Sequence, residues 1–277
     1  MDVRELLRKQ GISSFTAADF EFVTSKIAAD PSRLILVGGQ SVAVWGIIFD
    51  VASPLGAHQT LTKDADWLGG KLDAKWLCDQ LGPSSDVDLQ FAADFDVTPS
   101  SALAFLRRDN RVLMMDFLRS IVGPENAEIQ ELAVSVVLQD SSMLVMHPLL
   151  CLESRFANLK ELPSKRQGNG PLQAIWMINI MRSYFLEQAA QGIERKQVAK
   201  AIRRVVALAE SQHGKYCLLN FQLNAMNAIP PEVISYVGGG FESIEWPKVT
   251  ERVAKYQERW RKNKERRSKN APAPETA

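Results

Sequence analysis

Three aspartates in the first half of the chain have the residue type and spacing of a cation site. Asp64 and Asp66 lie two residues apart in "KDADW", a segment that predicts a strand, so both side chains should project from one face. Asp116 interrupts the apolar run "RVLMMDFL", where an ionised side chain is costly unless it is paired or bound to a cation. Carboxylates that meet at the end of a sheet suit one or two Mg²⁺ ions, which prefer hard oxygen ligands completed by phosphates and water.

A glycine pair precedes these aspartates and indicates a phosphate site. The apolar run "RLILVGG" predicts a buried strand that ends at Gly38 and Gly39, and the small and apolar residues that follow predict a helix packed on that strand. Glycines let the backbone approach a phosphate closely, and the helix directs its first N–H groups towards the anion. The Ser41 hydroxyl would be a further donor. Together the two motifs predict a metal-assisted phosphate site.

Simpler interpretations stay open at this point. Gly38 and Gly39 alone are compatible with a plain turn into a helix. Asp64 and Asp66 alone are compatible with a solvated strand end that has Lys63 as its ion partner. The combination with Asp116 is what favours the metal site.

These motifs resemble a known family. The order "LVGGQSVAVWG", "LTKDADWLG" and "LMMDFL" is similar to that of the polymerase-beta-like nucleotidyltransferase superfamily, and in particular to its AbiEii-like, toxin-type members. The resemblance covers about Leu34 to Leu118 by motif and the rest of the chain by architecture alone. It implies transfer of a nucleotidyl group from an NTP, with Mg²⁺ or Mn²⁺, to a hydroxyl acceptor.

The resemblance also implies roles for individual residues. Gly38, Gly39 and Ser41 would bind the nucleotide phosphates. Asp64 and Asp66 would hold the metal ions, and Asp116 would be the third metal ligand and the base-like carboxylate; all three would be catalytic. Relatives of this kind place a basic residue of the following helix against the triphosphate, and Arg155 is the first candidate here, although a solvated helical face is the alternative for it.

Composition places the chain among ordinary globular proteins and sets its charge distribution. Of 277 residues, 46% are hydrophobic and 23% are charged, and the net charge is +1. No apolar run is long enough to span a bilayer, and the first residues lack the apolar segment of a signal peptide, so we expect no membrane partner. The three cysteines, Cys78, Cys151 and Cys217, are scattered and not spaced as metal ligands, which is typical of reduced thiols in a cytoplasmic protein. Residues 251–270 carry nine Lys or Arg against three Glu, a basic segment that could meet phosphate or an acidic partner.

The pattern of predicted secondary structure changes near residue 147. Before it, strand and helix patterns alternate, with strands predicted at "TLTKDADWLG", "DVDLQFAADF" and Val112–Leu118, one or two more in "ELAVSVVLQDSSMLVMHP", and a helix or irregular crossing at "TPSSALAFLRR". After it, five helices are predicted: Leu149–Leu162, Leu172–Gln191, Glu194–Gln212, Lys215–Asn227 and Pro247–Arg267.

The pattern therefore predicts an α/β (α+β) domain with a mixed sheet, followed by an all-α domain, and the resemblance implies that the first is a nucleotidyltransferase domain. We expect the catalytic domain at residues 1–147, a helical substrate- or partner-binding domain at 148–268 and a disordered tail at 269–277. By resemblance the acceptor is an RNA or tRNA 3′ end or a protein, and the chain is a toxin with a cognate antitoxin or a phage-defence protein. The alternative is a catalytically silent nucleotide- or RNA-binding regulatory protein on the same fold.

Overall fold

The computed structural model describes residues 13–56, 64–82, 85–93, 95–138 and 140–269, with side chains to residue 266 in the last range. The chain divides into two compact units, the first ending at Ser154 and the second beginning at Arg155. None of the described helices combines the length and the apolarity that crossing a bilayer requires.

The first unit contains seven strands and the helices that connect them. The strands are β1 Ile35–Leu36, β2 Asp64–Leu68, β3 Asp86–Phe91, β4 Ser100–Arg108, β5 Arg111–Leu118, β6 Val134–Leu138 and β7 Ser141–Val145. The helices are α1 Ala17–Ile27, α2 Gly38–Ile48, α3 Lys71–Leu81 and α4 Asn126–Leu132, followed by α5 Pro148–Glu161, in which the unit ends.

The strands form one mixed sheet in the order β3-β4-β5-β2-β1-β7-β6. β2 runs parallel to β5 and β1 runs parallel to β7, while the other neighbours are antiparallel. A mixed sheet with helical connections followed by a helical region confirms the predicted fold class. The parallel contact of β2 with β5 matters most for function, because it brings together two segments that are distant in the sequence.

The two faces of the central strands differ in burial. Ala65, Trp67, Met115 and Phe117 are fully buried and point to one face. Asp64 and Asp66 alternate with them along β2, so the acidic side chains lie on the opposite face, where they are only partly buried. The sheet therefore presents a hydrophobic side to the core and carries its carboxylates on a partly buried opposite side.

One prediction is wrong: "TPSSALAFLRR" contains neither a helix nor an irregular crossing but the strand β4. Ala and Leu favour helices when taken alone, yet β4 pairs along its length with β3 and β5, and this packing overrides the local preference. The turn to β5 is made by Asp109 and Asn110, which both have positive φ, as a two-residue hairpin requires. The dipeptide "DN" between two alternating segments was the available sequence signal.

The second unit is helical, as predicted, with shifts at the helix ends. Its helices are α6 Asn169–Ala190, α7 Arg195–Glu210, α8 Gln212–Phe221, α9 Pro231–Val237 and α10 Trp246–Lys269, with short 3₁₀ turns at Pro163–Lys165 and Ala225–Ala228 and a π-helical turn at Phe241–Glu245. The helix predicted at Lys215–Asn227 ends early, because Gln222 adopts a left-handed conformation. The sequence did not predict α4 or α9.

Parts of some predictions lie outside the described residues. The strand predicted from Thr60 is observed from Asp64 onwards, and its first residues, including Lys63, are not among those described. The proposed ion pair of Lys63 with the aspartates therefore stays a prediction. The same holds for the tail predicted at 269–277 from residue 270 on.

Candidate active site

Strand pairing brings two of the three predicted carboxylates side by side. Asp66 of β2 lies directly opposite Asp116 of β5 in the parallel ladder, and Asp64 lies opposite Met114, one step along the same face. Residues opposite each other in neighbouring strands project to the same side of the sheet. The three acidic side chains thus share one face, although Asp116 lies 52 positions after Asp64 in the sequence.

Gly38 places the turn into α2 directly against Asp66. Its φ is +67°, a left-handed conformation, and a Cβ added there would lie 1.8 Å from Oδ2 of Asp66. Only glycine satisfies both conditions, since any side chain would displace the carboxylate. The glycine turn predicted as a phosphate site is therefore in contact with the predicted metal site.

The start of α2 is not capped by a side chain, because its N-cap residue is Val37. The first N–H groups of the helix belong to Gly38 and Gly39, beside the carboxylates. An uncapped helix start next to acidic groups is a favourable place for a phosphate that is accompanied by a cation.

Ser41 lies in a different position from the one its predicted role requires. Its side chain is completely buried, its hydroxyl donates to the carbonyl oxygen of Gly38 at 2.9 Å, and the same hydroxyl is 3.4 Å from Sγ of Cys151. In this conformation the hydroxyl stabilises the glycine turn from inside the protein. A contact of Ser41 with phosphate stays a prediction.

Asp116 lies in an environment that favours its protonated form. Burial raises its pKa from 3.8 to about 6; a hydrogen bond from Ser100 opposes the rise, and the negative charge of Asp64 adds to it. Oγ of Ser100 donates to Oδ1 of Asp116 at 2.6 Å. A carboxylate with a pKa close to neutrality and a fixed orientation is suited to accept a proton.

A β-bulge positions Ser100, a residue that sequence reasoning missed. Leu103 pairs with Asp116, so regular pairing would place Ser100 on the opposite face of the sheet. The register shifts between Ser100 and Ala102, and Ser100 then pairs with Leu118, on the acidic face. The sequence contains no signal for this bulge, because it depends on how β4 pairs with β5.

The facing carboxylates are the type of oxygen donors that a magnesium ion accepts. Among the described residues, no three His, Cys, Asp or Glu side chains form a ready-made metal site. Magnesium is usually held by one or two carboxylates together with water and substrate phosphates, and it does not require a cage of protein ligands. Asp66 and Asp116 in facing positions, with Asp64 one step away, provide hard oxygens of this kind.

Arg155 belongs to the second unit and is not solvated. Only 7% of it is exposed, and its Nη1 donates to Oε1 of Gln173 on α6 at 3.1 Å. The alternative of a solvated helical face is therefore wrong for Arg155. A role in binding the triphosphate stays a prediction.

Comparison with known proteins adds three distant likenesses. No protein-family model matches the chain, and no curated protein sequence matches it at a significant level. A candidate nucleotidyltransferase from H. pylori is 12% identical with a TM-score of 0.38, covering 87% of this chain and 93% of its own. The Megavirus polyadenylate synthase is 11% identical with a TM-score of 0.37, covering 77% of this chain and 42% of its own. JHP933 from Helicobacter pylori is 12% identical with a TM-score of 0.36, covering 94% and 95%. Likenesses at this level do not assign an activity, which has to be argued from the site.

Replacing Gly38 by alanine should cost more stability than its backbone conformation alone explains. Gly56→Ala is the matched control, since Gly56 also has a positive φ and a Cβ there would meet nothing within 4 Å. We expect about 1–2 kcal/mol of destabilisation from the left-handed conformation in both variants, and about 1–3 kcal/mol more for Gly38→Ala from the clash with Asp66. Urea unfolding curves measure both, and equal losses would contradict the contact described.

Removing the charge of Asp116 should stabilise the metal-free protein at neutral pH. The folded-state pKa of about 6 lies above the ordinary 3.8, so the folded protein favours the protonated form of Asp116. The free energy of unfolding of wild type therefore falls as the pH rises from about 4 through about 6. Each pKa unit corresponds to about 1.4 kcal/mol. The free energy of unfolding of Asp116→Asn, relative to that of wild type, should therefore increase by about 3 kcal/mol as the pH rises from about 4 to about 8.

The measurement is urea unfolding in EDTA at both pH values. Asp86→Asn is the control, because Asp86 is an exposed aspartate in an ion pair with Arg107, a type of pair that contributes under about 1 kcal/mol. If the stability of Asp116→Asn follows that of wild type at every pH, the raised pKa is wrong.

Proposed function

We propose that this chain is a metal-dependent nucleotidyltransferase that moves a nucleoside monophosphate from an NTP to a hydroxyl acceptor. The observation that carries the proposal is the contact of a glycine turn with one of two facing carboxylates, namely Gly38 against Asp66 opposite Asp116. The backbone that would bind phosphate is then in direct contact with a carboxylate that would bind the cation. Transfer of a phosphoryl-type group requires this proximity.

The glycine turn would bind the leaving end of the NTP. The N–H groups of Gly38 and Gly39 open α2 without a side-chain cap, and the helix dipole favours negative charge there. Ser41 would act through the Gly38 carbonyl that it holds in place. For Arg155, the resemblance of the sequence is the only support for a nucleotide contact, and we retain it on that basis.

Asp64, Asp66 and Asp116 would hold the divalent cation. Mg²⁺ or Mn²⁺, when bound, would neutralise charge on the transferred group and on the departing pyrophosphate. With the NTP in place, the acceptor oxygen attacks the α-phosphorus, the bond from that phosphorus to the bridging oxygen of the β-phosphate breaks, and pyrophosphate leaves. Asp116 would take the proton of the acceptor hydroxyl, while Ser100 keeps its carboxylate oriented.

The finer identity of the reaction follows from the sequence resemblance alone. An RNA or tRNA 3′ end and a protein hydroxyl are the acceptors it suggests, and a cytoplasmic toxin with a cognate antitoxin, or a phage-defence protein, is the role it suggests. The exposed basic end of α10, which includes Arg259, Arg261 and Arg266, is compatible with an RNA acceptor.

Label transfer from an NTP tests the activity directly. Each NTP, labelled at its α-phosphate, is incubated with Mg²⁺ or Mn²⁺ and with total RNA or cell lysate, and the labelled product is separated. We expect transfer by wild type and a loss of about 10²–10⁴-fold in Asp116→Asn, because the proton acceptor is removed. Asp66→Asn should lose activity as well, whereas Asp86→Asn, which replaces an exposed aspartate of β3, should stay close to wild type.

The outcome also decides between the enzyme and the silent alternative. If wild type binds NTP but no label moves to any acceptor, the chain is a nucleotide-binding regulatory protein. If transfer survives unchanged in both Asp116→Asn and Asp66→Asn, the carboxylates are not the catalytic groups and the assignment of this site is wrong.

The toxin role predicts a growth phenotype. Induced expression of wild type in bacteria should arrest growth, because uncontrolled modification of an essential acceptor stops metabolism. Expression of Asp66→Asn at the same level, checked by immunoblot, should leave the growth rate unchanged. Equal arrest by both proteins would show that toxicity does not come from this chemistry.

A further inference from the structure

A cavity of about 510 Å³ lies on the carboxylate face of the sheet. Ile35, Leu68, Leu118 and Leu144 line it. Ile35 pairs with both Leu68 and Leu144, and Leu68 pairs with Leu118, so the four side chains form one row on one face. Leu68 and Leu118 come two residues after Asp66 and Asp116, so that face is the acidic one. A volume of this size is within the roughly 300–1,000 Å³ of small-molecule sites.

The carboxylates lie between this cavity and the glycine turn. Along the antiparallel pair of β1 and β2, Ile35 is opposite Leu68, and the N–H of Val37 donates to the carbonyl of Asp66. Gly38 therefore approaches Asp66 from one end of β2, and the cavity begins at Leu68 towards the other end.

This arrangement matches the two sides of an in-line displacement. The attacking and the leaving oxygens stand on opposite sides of the phosphorus. If the glycine turn holds the leaving phosphates, as proposed above, the attacking hydroxyl has to arrive from the side of Leu68 and Leu118. The inference rests on the proposed function for this assignment of sides, while the cavity and its chemistry do not depend on it.

The rim of the cavity is polar and carries an excess positive charge. Arg33 pairs with Asp73 at 2.9 Å and covers the ring of Trp76. Arg119 is exposed, its guanidinium contacts the carbonyl of Ser100 at 3.4 Å, and no carboxylate of the described residues forms an ion pair with it. Charge complementarity therefore favours a ligand with an anionic group next to Arg119.

Two carboxamides complete the rim. Nδ2 of Asn126 donates to the carbonyl of Arg119, and the side chain of Gln130 lies exposed one helical turn further along α4. Carboxamides offer both hydrogen-bond donors and acceptors, which suit the edge of a heteroaromatic ring that packs on Leu68 and Leu118. An apolar surface for a ring and a cation for a phosphate fit a nucleotide better than a hydroxyl-bearing protein side chain.

We propose that this cavity binds the terminal nucleotide of an RNA acceptor, with its base on Leu68 and Leu118 and its phosphate at Arg119. The terminal hydroxyl would then face Asp116 from the side opposite the glycine turn. The reaction is the one written above: the acceptor O–P bond forms, the bond to pyrophosphate breaks, and the hydroxyl proton moves to Asp116.

Binding of a defined RNA, measured without NTP and in EDTA, tests the proposal separately from catalysis. The probe is a single-stranded RNA of ten nucleotides with fluorescein inside the chain, and the measurement is fluorescence anisotropy. Arg119→Glu should weaken binding about tenfold, since it replaces a phosphate contact by a repulsive charge. Lys75→Glu makes the same change of charge on the exposed face of α3, outside the cavity lining, and should change the affinity less than about twofold, as expected of an exposed site.

A circular RNA of the same sequence and label position shows whether the end of the chain is recognised. It has no terminal nucleotide, so wild type should bind it about tenfold more weakly than the linear RNA, and Arg119→Glu should bind both forms alike. Gln130→Trp, which fills the cavity from its rim, should lose the preference for the linear form, whereas Glu131→Trp, on the neighbouring position of α4, should keep it.

The same measurements can also contradict the proposal. Unchanged binding of the linear RNA in Arg119→Glu, or equal binding of linear and circular RNA by wild type, would overturn the proposal. Loss of label transfer into protein in Arg119→Glu, with RNA binding intact, would assign the cavity to a protein acceptor instead. If no NTP is ever consumed but the RNA results hold, the proposed function fails while the nucleotide-binding cavity stands.

Discussion

The candidate site of the first unit depends on a pairing of two carboxylates that is unfavourable by itself. In the parallel ladder of β2 and β5, Asp66 faces Asp116, and Asp64 is close enough to raise the pKa of Asp116. Like charges directly opposite each other destabilise a sheet. The surrounding core, in which Trp67 and Phe117 are fully buried, fixes the register and so enforces the repulsion. The divalent cation proposed above would offset this cost when it is bound.

The same core holds the glycine turn rigidly. From Gly38 to Gly46, every residue of α2 is buried, and Nε1 of Trp45 donates to the carbonyl of Met146 at 2.8 Å. A helix that is enclosed on all sides cannot rotate to adjust its first turn. Its position relative to Asp66 is therefore set before any ligand binds, and little ordering is left to oppose binding.

Local spacing explains which parts of this site the sequence could predict. The alternation in "KDADW", the position of Asp116 in an apolar run and the glycines after a strand are short-range patterns, and each predicted its element correctly. Strand order, register and bulges depend on contacts between distant segments, so the pairing of Asp66 with Asp116 needed the resemblance or the structure.

The strand β4 was mistaken for a helix or an irregular crossing, because its alanines and leucines favour a helix until β3 and β5 are present. Likewise Leu68 and Leu118 look like ordinary core residues in the sequence, and only the sheet reveals that they continue the carboxylate row.

The bulge in β4 links Asp116 to the rim of the cavity. It places the Ser100 hydroxyl on Asp116, while the carbonyl of the same residue accepts from the guanidinium of Arg119. The backbone N–H of Arg119 in turn donates to the carbonyl of Pro99 at 2.8 Å. One short segment thus contacts both the group proposed to take the proton and the group proposed to hold the acceptor phosphate. Because a bulge re-aims side chains without changing the rest of a sheet, the extra residue, Ser101, leaves Ser100 opposite Leu118 and within reach of both side chains.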